Sequence, residues 1–188
     1  HMGRQIEHSQ VINNENRELI AKNSYDALGQ LVSKKVGGTY TGNGLQTVDY
    51  TYNVRGWLRQ INDPSSLGSD LFAFGISYND TDHGASALFN GNISETEWIT
   101  ANDNTNRYYK YTYDALNRLT EADGGFGYDV NSISYDKNGN LKTLKRYEGT
   151  STLIDNLSYN YLTGSNKLNS VGDASNNSKG FRNWNTST

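Results

Sequence analysis

Apolar and polar residues alternate with a period of two along much of this chain. Val48, Tyr50 and Tyr52 fall on one side of an extended backbone, and Thr47, Asp49 and Thr51 on the other. Tyr109, Tyr111 and Tyr113 alternate in the same way with Tyr108, Lys110 and Thr112, as do Leu157, Tyr159 and Tyr161 with Asn156, Ser158 and Asn160. A two-residue period rich in aromatics and threonine predicts strands with one face turned to a core. No 3.6-residue period is sustained. Thr96-Glu97-Trp98-Ile99 offers one helical turn, and its Asn-rich flanks leave no expectation of a helix longer than about two turns.

Each strand runs into the same short phrase: an aromatic residue, Asp or Asn, two residues, Gly or Asn, one residue, Leu. It stands at Tyr25-Asp26-Ala27-Leu28-Gly29-Gln30-Leu31, at Tyr52-Asn53-Val54-Arg55-Gly56-Trp57-Leu58, at Tyr113-Asp114-Ala115-Leu116-Asn117-Arg118-Leu119 and at Tyr135-Asp136-Lys137-Asn138-Gly139-Asn140-Leu141. A slipped copy with one extra residue runs from Tyr161 to Leu168. Asn90-Gly91-Asn92-Ile93 repeats Asn138-Gly139-Asn140-Leu141, with Ala87 in the place of the tyrosine. The closing aliphatics Leu31, Leu58, Ile93, Leu119, Leu141 and Leu168 are separated by 22 to 35 residues, a range that signals a stacked or wound repeat.

Turn chemistry explains the phrase. An Asp or Asn followed three residues later by Gly or Asn suits a type I turn, because the first side chain accepts from nearby backbone and the last position tolerates positive φ. The unit is then a tight hairpin with a bulge on its far side, and Leu opens the return strand. The predicted shared face collects Tyr50, Tyr52, Leu58, Tyr111, Tyr113, Leu119, Tyr135, Leu141, Tyr159, Tyr161 and Leu168. Segments 37–44, 62–70, 79–86, 101–106 and 123–127 read as connections. The organisation expected is an expression-tag remnant at 1–3, a hairpin array of about six repeats over 4–172, and a truncated repeat or disordered tail at 173–188.

Composition makes tyrosine the main core material. The 188 residues are only 34% hydrophobic, yet 14 Tyr, 5 Phe and 3 Trp supply bulk. Buried phenols need partners, so the chain should form either a polar interior lattice or rings whose tips reach water. A net charge of −3 with scattered cations argues against nucleic acid as a partner. No apolar run approaches the roughly 20 residues of a membrane helix, so no membrane insertion is expected. With no cysteine there is neither a disulfide nor a thiolate site.

The repeated Tyr-Asp phrase, as in Tyr25 to Leu31 and Tyr113 to Leu119, resembles the YD repeats of the Rhs family, a family that includes toxin-complex shells and animal teneurins. Segments 45–58 and 89–119 look like its Bacteroidetes-type versions, and the resemblance covers 19–171. It implies antiparallel hairpins joined side by side into a twisted, open ribbon, here a segment of an exported bacterial shell, secreted or at the cell surface. Such a shell encloses or presents a C-terminal toxin domain. The implied partners are the remaining repeats and that toxin domain. The family's self-cleaving region has no counterpart, since Asp63-Pro64 reads as a turn.

Chemical readings of the same residues are weaker. Hydrolytic carboxylates must converge on one cleft, whereas Asp26, Asp114 and Asp136 recur once per hairpin. Asp136-Lys137-Asn138-Gly139-Asn140 lacks the glycine and glutamate positions of a calcium loop. His8 and His83 have no companion at ligand spacing, and the glycine pairs at 37–38 and 124–125 lack a phosphate-binding context. The expectation is a non-enzymatic protein with no catalytic residue, metal or cofactor. The alternative is an adhesion module in which Trp57 and Trp98 stack on sugar rings of a glycan, against a structural role in bracing hairpins. Unpaired sheet edges in such a ribbon also predict self-association.

Overall fold

The computed structural model describes residues 3–149, 151–175 and 177–182. Among the described residues thirteen strands occur in chain order: β1 (Glu7–Gln10), β2 (Glu18–Tyr25), β3 (Leu31–Val36), β4 (Gln46–Tyr52), β5 (Leu58–Ile61), β6 (Phe72–Ser77), β7 (Glu95–Thr100), β8 (Arg107–Tyr113), β9 (Leu119–Gly124), β10 (Val130–Tyr135), β11 (Leu141–Glu148), β12 (Thr152–Tyr161) and β13 (Leu168–Asp173). They form one open antiparallel sheet in which each strand lies beside its neighbours in sequence. No helix occurs among the described residues. Thr96-Glu97-Trp98-Ile99, read as one helical turn, is instead part of strand β7, because its backbone pairs alongside β6.

The chain divides into two compact units, His1–Ile76 with Glu97–Asn106, and Ser77–Thr96 with Arg107–Thr188. In the first, Leu67, Ala73 and Ile99 form a small buried cluster and Leu19 is buried on β2. In the second, Tyr78, Ala122, Ile133 and Leu157 are buried.

Register follows the phrase. Tyr25 lies opposite Leu31, Tyr52 opposite Leu58, Tyr113 opposite Leu119, Tyr135 opposite Leu141 and Tyr161 opposite Leu168, each time with a bulge just inside the turn. The bulge exists because the turn is longer than the two-residue loop that gives flush pairing. The repeat tyrosines are half-buried rather than fully enclosed. Leu168, expected on the covered face, is 51% exposed on β13, which among the described residues has a sheet neighbour on one side only.

Candidate functional site

At each regular tip the Asp or Asn side chain closes the turn on its own backbone. Asp114 Oδ1 accepts from the Leu116 amide at 2.9 Å and the Arg118 amide at 3.0 Å. Asp136 Oδ1 accepts from Asn138 at 2.8 Å and Asn140 at 2.9 Å, and Asn53 Oδ1 from Arg55 at 2.9 Å and Trp57 at 3.0 Å. Asp26 Oδ1 takes the Gln30 amide at 2.8 Å. The fourth residue of each turn is left-handed, with φ of 85° at Gly29, 79° at Gly56, 61° at Asn117 and 86° at Gly139. The amide of that residue bonds the first carbonyl, so this is the expected type I turn with its left-handed bulge residue. The slipped copy turns differently, with Gly164 at φ 69° and Ser165 Oγ accepting from the Lys167 amide.

Two of the turn acids, Asp114 and Asp136, are held ionised by these contacts. For Asp114 the Arg118 amide acts most strongly, and with the Arg118 side chain and the Leu116 amide it outweighs desolvation and lowers the carboxyl. For Asp136 the Asn140 carboxamide leads, helped by two backbone amides. Asp136 therefore spends its oxygens on its own turn, and among the described residues no group of three or more His, Cys, Asp or Glu is placed to hold a metal ion.

Successive hairpins are joined by the tyrosines. Tyr52 Oη donates to the Leu31 carbonyl at 2.8 Å, Tyr113 Oη to Ile93 at 2.8 Å, Tyr135 Oη to Leu119 at 2.8 Å, and Tyr161 Oη to Leu141 at 2.9 Å. Each of these tyrosines reaches the closing carbonyl of the preceding hairpin. This is the polar lattice that buried phenols require, and each bond contributes about 1 kcal/mol. Burial, with a smaller contribution from Tyr111, raises the phenol of Tyr113, and burial raises that of Tyr52.

The residue before Leu also reaches forward. The Arg118 guanidinium lies 4.6 Å from the Tyr135 ring centroid and donates to the Asp136 carbonyl at 3.3 Å. Asn138 and Asn140 donate to Asn166 Oδ1 at 3.1 and 2.9 Å, and Asn90 and Asn92 to Asn117 Oδ1 at 2.7 and 3.2 Å. Near the chain start, Gly3, Arg4 and Gln5 occupy the same roles as Asn117, Arg118 and Leu119. Gly3 is left-handed at φ 63°, Arg4 stands 5.6 Å from the Tyr25 ring centroid, and Gln5 O accepts from Tyr25 Oη at 3.0 Å. Gln5 is polar where the phrase has Leu, so the pattern carries no trace of it; residues 1 and 2 lie outside the described residues.

The degenerate copy is a hairpin with a long loop. Asn90, Gly91 and Ile93 occupy the expected late positions, with Gly91 at φ 98° and Asn90 Oδ1 accepting from the Asn92 amide. The tyrosine slot belongs to Tyr78 rather than to Ala87. Ser94 N donates to Ser77 O at 2.8 Å, which brings the residues preceding Tyr78 and following Ile93 together. Tyr78-Asn79 thus opens this copy, and the intervening loop hides the spacing.

That loop is gathered around Glu95, whose side chain is fully buried. Its carboxylate accepts from the Asp82 amide at 2.8 Å, the His83 amide at 3.0 and 3.1 Å and the Ala85 amide at 2.8 Å. The His83 ring stacks on Tyr108 with centroids 4.0 Å apart. Between the loop and the β8–β9 hairpin lies an open cleft of about 390 Å³, lined among others by Ser86, Asn90, Lys110, Glu121 and Asp123. Lys110 Nζ bonds Asp123 Oδ2 at 2.7 Å, which keeps the ammonium protonated above its usual range.

Other buried acids brace the far margin. Asp155, 1% exposed, pairs with Arg146 Nε and accepts from the Phe181 amide at 2.6 Å. Burial acts to raise the Asp173 carboxyl, but hydrogen bonds from the Asn156 and Ser175 amides and the Ser175 hydroxyl together outweigh it and hold the group low. Asp155 was legible in principle, since the position two before Leu157 places an acid on the apolar face. Glu95 had no such signal. Of the tail from 173 on, Ser175, Asn177 and Lys179 make hydrogen bonds to β11–β13, and residues 176 and 183–188 lie outside the described residues.

Trp57 and Trp98 sit apart on the tip before β5 and on β7, both half-buried. One face of Trp57 is occupied by the Arg55 guanidinium, 5.0 Å from the ring centroid. No protein-family model matches this chain. No curated protein matches it either.

Proposed function

We propose that this chain is a non-enzymatic wall segment of a larger exported protein, a run of Tyr-Asp hairpins of the kind that builds Rhs-type shells and encloses or presents a toxin domain. The observation that carries this reading is the repeated bond from the tyrosine of one hairpin to the closing carbonyl of the hairpin before it. Such a bond sets the spacing and register of neighbouring units whatever the connecting segments do. A wall of many hairpins requires this and a catalytic centre does not. The turn carboxylates support the same reading, because each closes on its own backbone instead of converging with others. Its partners are then further hairpins and the enclosed domain, and its place is outside the cytoplasm.

The complete open reading frame containing this chain, imaged by electron cryomicroscopy, is expected to give a hollow particle with hairpins in its wall and a separate domain inside or at its mouth. A solid globular particle would overturn the proposal. So would turnover of a generic ester, peptide or glycoside that is lost on Asp114→Asn.

A further inference from the structure

Three asparagines in the chain precede glycine: Asn43, Asn90 and Asn138. Asn-Gly is the pair in which a backbone amide most easily attacks the preceding carboxamide, because glycine has no Cβ to crowd the nitrogen. The fold treats the three pairs differently. Asn90 uses both ends of its carboxamide: Oδ1 accepts from the Asn92 amide at 3.0 Å, and Nδ2 donates to Asn117 at 2.7 Å. Asn138 Nδ2 donates to Asn166 at 3.1 Å, and the attacking nitrogen, that of Gly139, is itself bonded to the Asp136 carbonyl at 3.1 Å. The one Asp-Gly pair, Asp123-Gly124, is restrained likewise, since Asp123 is paired with Lys110 and the Gly124 amide donates to Asp129 Oδ1 at 2.9 Å.

Asn43 differs on every count. It is exposed in the loop between β3 and β4, and among the described residues neither its carboxamide nor the Gly44 amide makes a hydrogen bond. The loop is pinned on either side, at Gly42 through Thr39 O and at Leu45 through Val36 O, so the free stretch is confined to this pair.

We infer that Asn43 is a built-in site of spontaneous deamidation, independent of the role proposed above. The Gly44 nitrogen forms a bond to Asn43 Cγ, the Cγ–Nδ2 bond breaks, and ammonia leaves with the proton that Gly44 gives up. The resulting five-membered imide is opened by water. Attack at Cγ leaves an ordinary aspartate at this position, and attack at the backbone carbonyl yields the isoaspartyl linkage, which inserts a methylene into the main chain. Nothing is oxidised or reduced, and either product adds one negative charge between β3 and β4.

The test is peptide mapping by mass spectrometry of the native protein held at mildly alkaline pH and body temperature, with the same incubation in denaturant. The mass gain from replacing ammonia by water is expected at the peptide containing Asn43 about tenfold or more faster than at those containing Asn90 and Asn138, because the latter react only from locally opened states. Isoaspartyl methyltransferase labelling should mark the same peptide. In denaturant the three rates should converge, and Asn166→Ala should raise conversion at Asn138 in the native protein. Equal native rates at the three sites, or an Asn43 preference that persists unchanged in denaturant, would overturn the inference.

Discussion

The phenol of Tyr135 donates to the carbonyl of Leu119, 2.8 Å away and 16 residues earlier in the chain. Tyrosine and leucine of one phrase face each other across a turn, yet the tyrosine's polar end serves the neighbouring hairpin. One side chain therefore does two tasks, packing within its unit and setting the distance to the next. Tyr135→Phe keeps the ring and removes only this bond, so it is expected to cost about 1 kcal/mol in urea denaturation. Phe at Tyr108, which is outside the rung pattern, provides the comparison. Equal losses at both positions would show that the rung contributes nothing specific.

The left-handed residue of each turn can be tested where space is not limiting. Gly139 has φ 86° and a Cβ there would meet nothing within 4 Å, so substitution changes conformation alone. Gly139→Ala should lose about 1 kcal/mol or slightly more. Gly139→Asn should lose much less, as Asn117 already occupies the equivalent position at φ 61°. An alanine variant as stable as the parent in thermal melts would remove backbone handedness as the reason for glycine here.

Glu95 holds the longest hairpin loop by three backbone amides in a buried setting. Glu95→Gln turns one acceptor oxygen into a donor aimed at other donors, an expected loss of about 2 to 3 kcal/mol. The loop from 79 to 92 should then be cut by protease well before the rest of the chain. Unchanged cleavage kinetics would mean the loop holds its shape by other contacts.

Acid should weaken the fold in a defined window. The carboxyls of Asp114, Asp136 and Asp173 are depressed in the folded state, so the unfolded chain binds protons more readily. Their contribution is fully present above the unfolded value near 4 and is lost as pH falls through the lower folded values. Denaturation midpoints should therefore drop steeply below about pH 4. Replacing Asp114 and Asp136 by Asn, the residue that Asn53 supplies at the same place, should flatten that dependence without breaking the turns. A slope as steep as the parent's would assign acid sensitivity to other groups.

The sequence by itself determined the strands that flank the repeated phrase from their two-residue period, though not β1, β6 or β7, and the turn type from Asp or Asn before Gly or Asn. Both are local: φ preferences and side chains bonding their own backbone act within a few residues, so they leave a pattern in the order of amino acids. The open all-β sheet follows from those hairpins. Only the tertiary structure decided that each phenol bonds the preceding hairpin, 16 to 21 residues away, because such a bond depends on how neighbouring units are spaced across the sheet. It also decided that Tyr78, not Ala87, opens the degenerate hairpin, and that Glu95 organises its loop. A long insertion erases fixed spacing, and an acid's burial is set by which backbone amides fold around it.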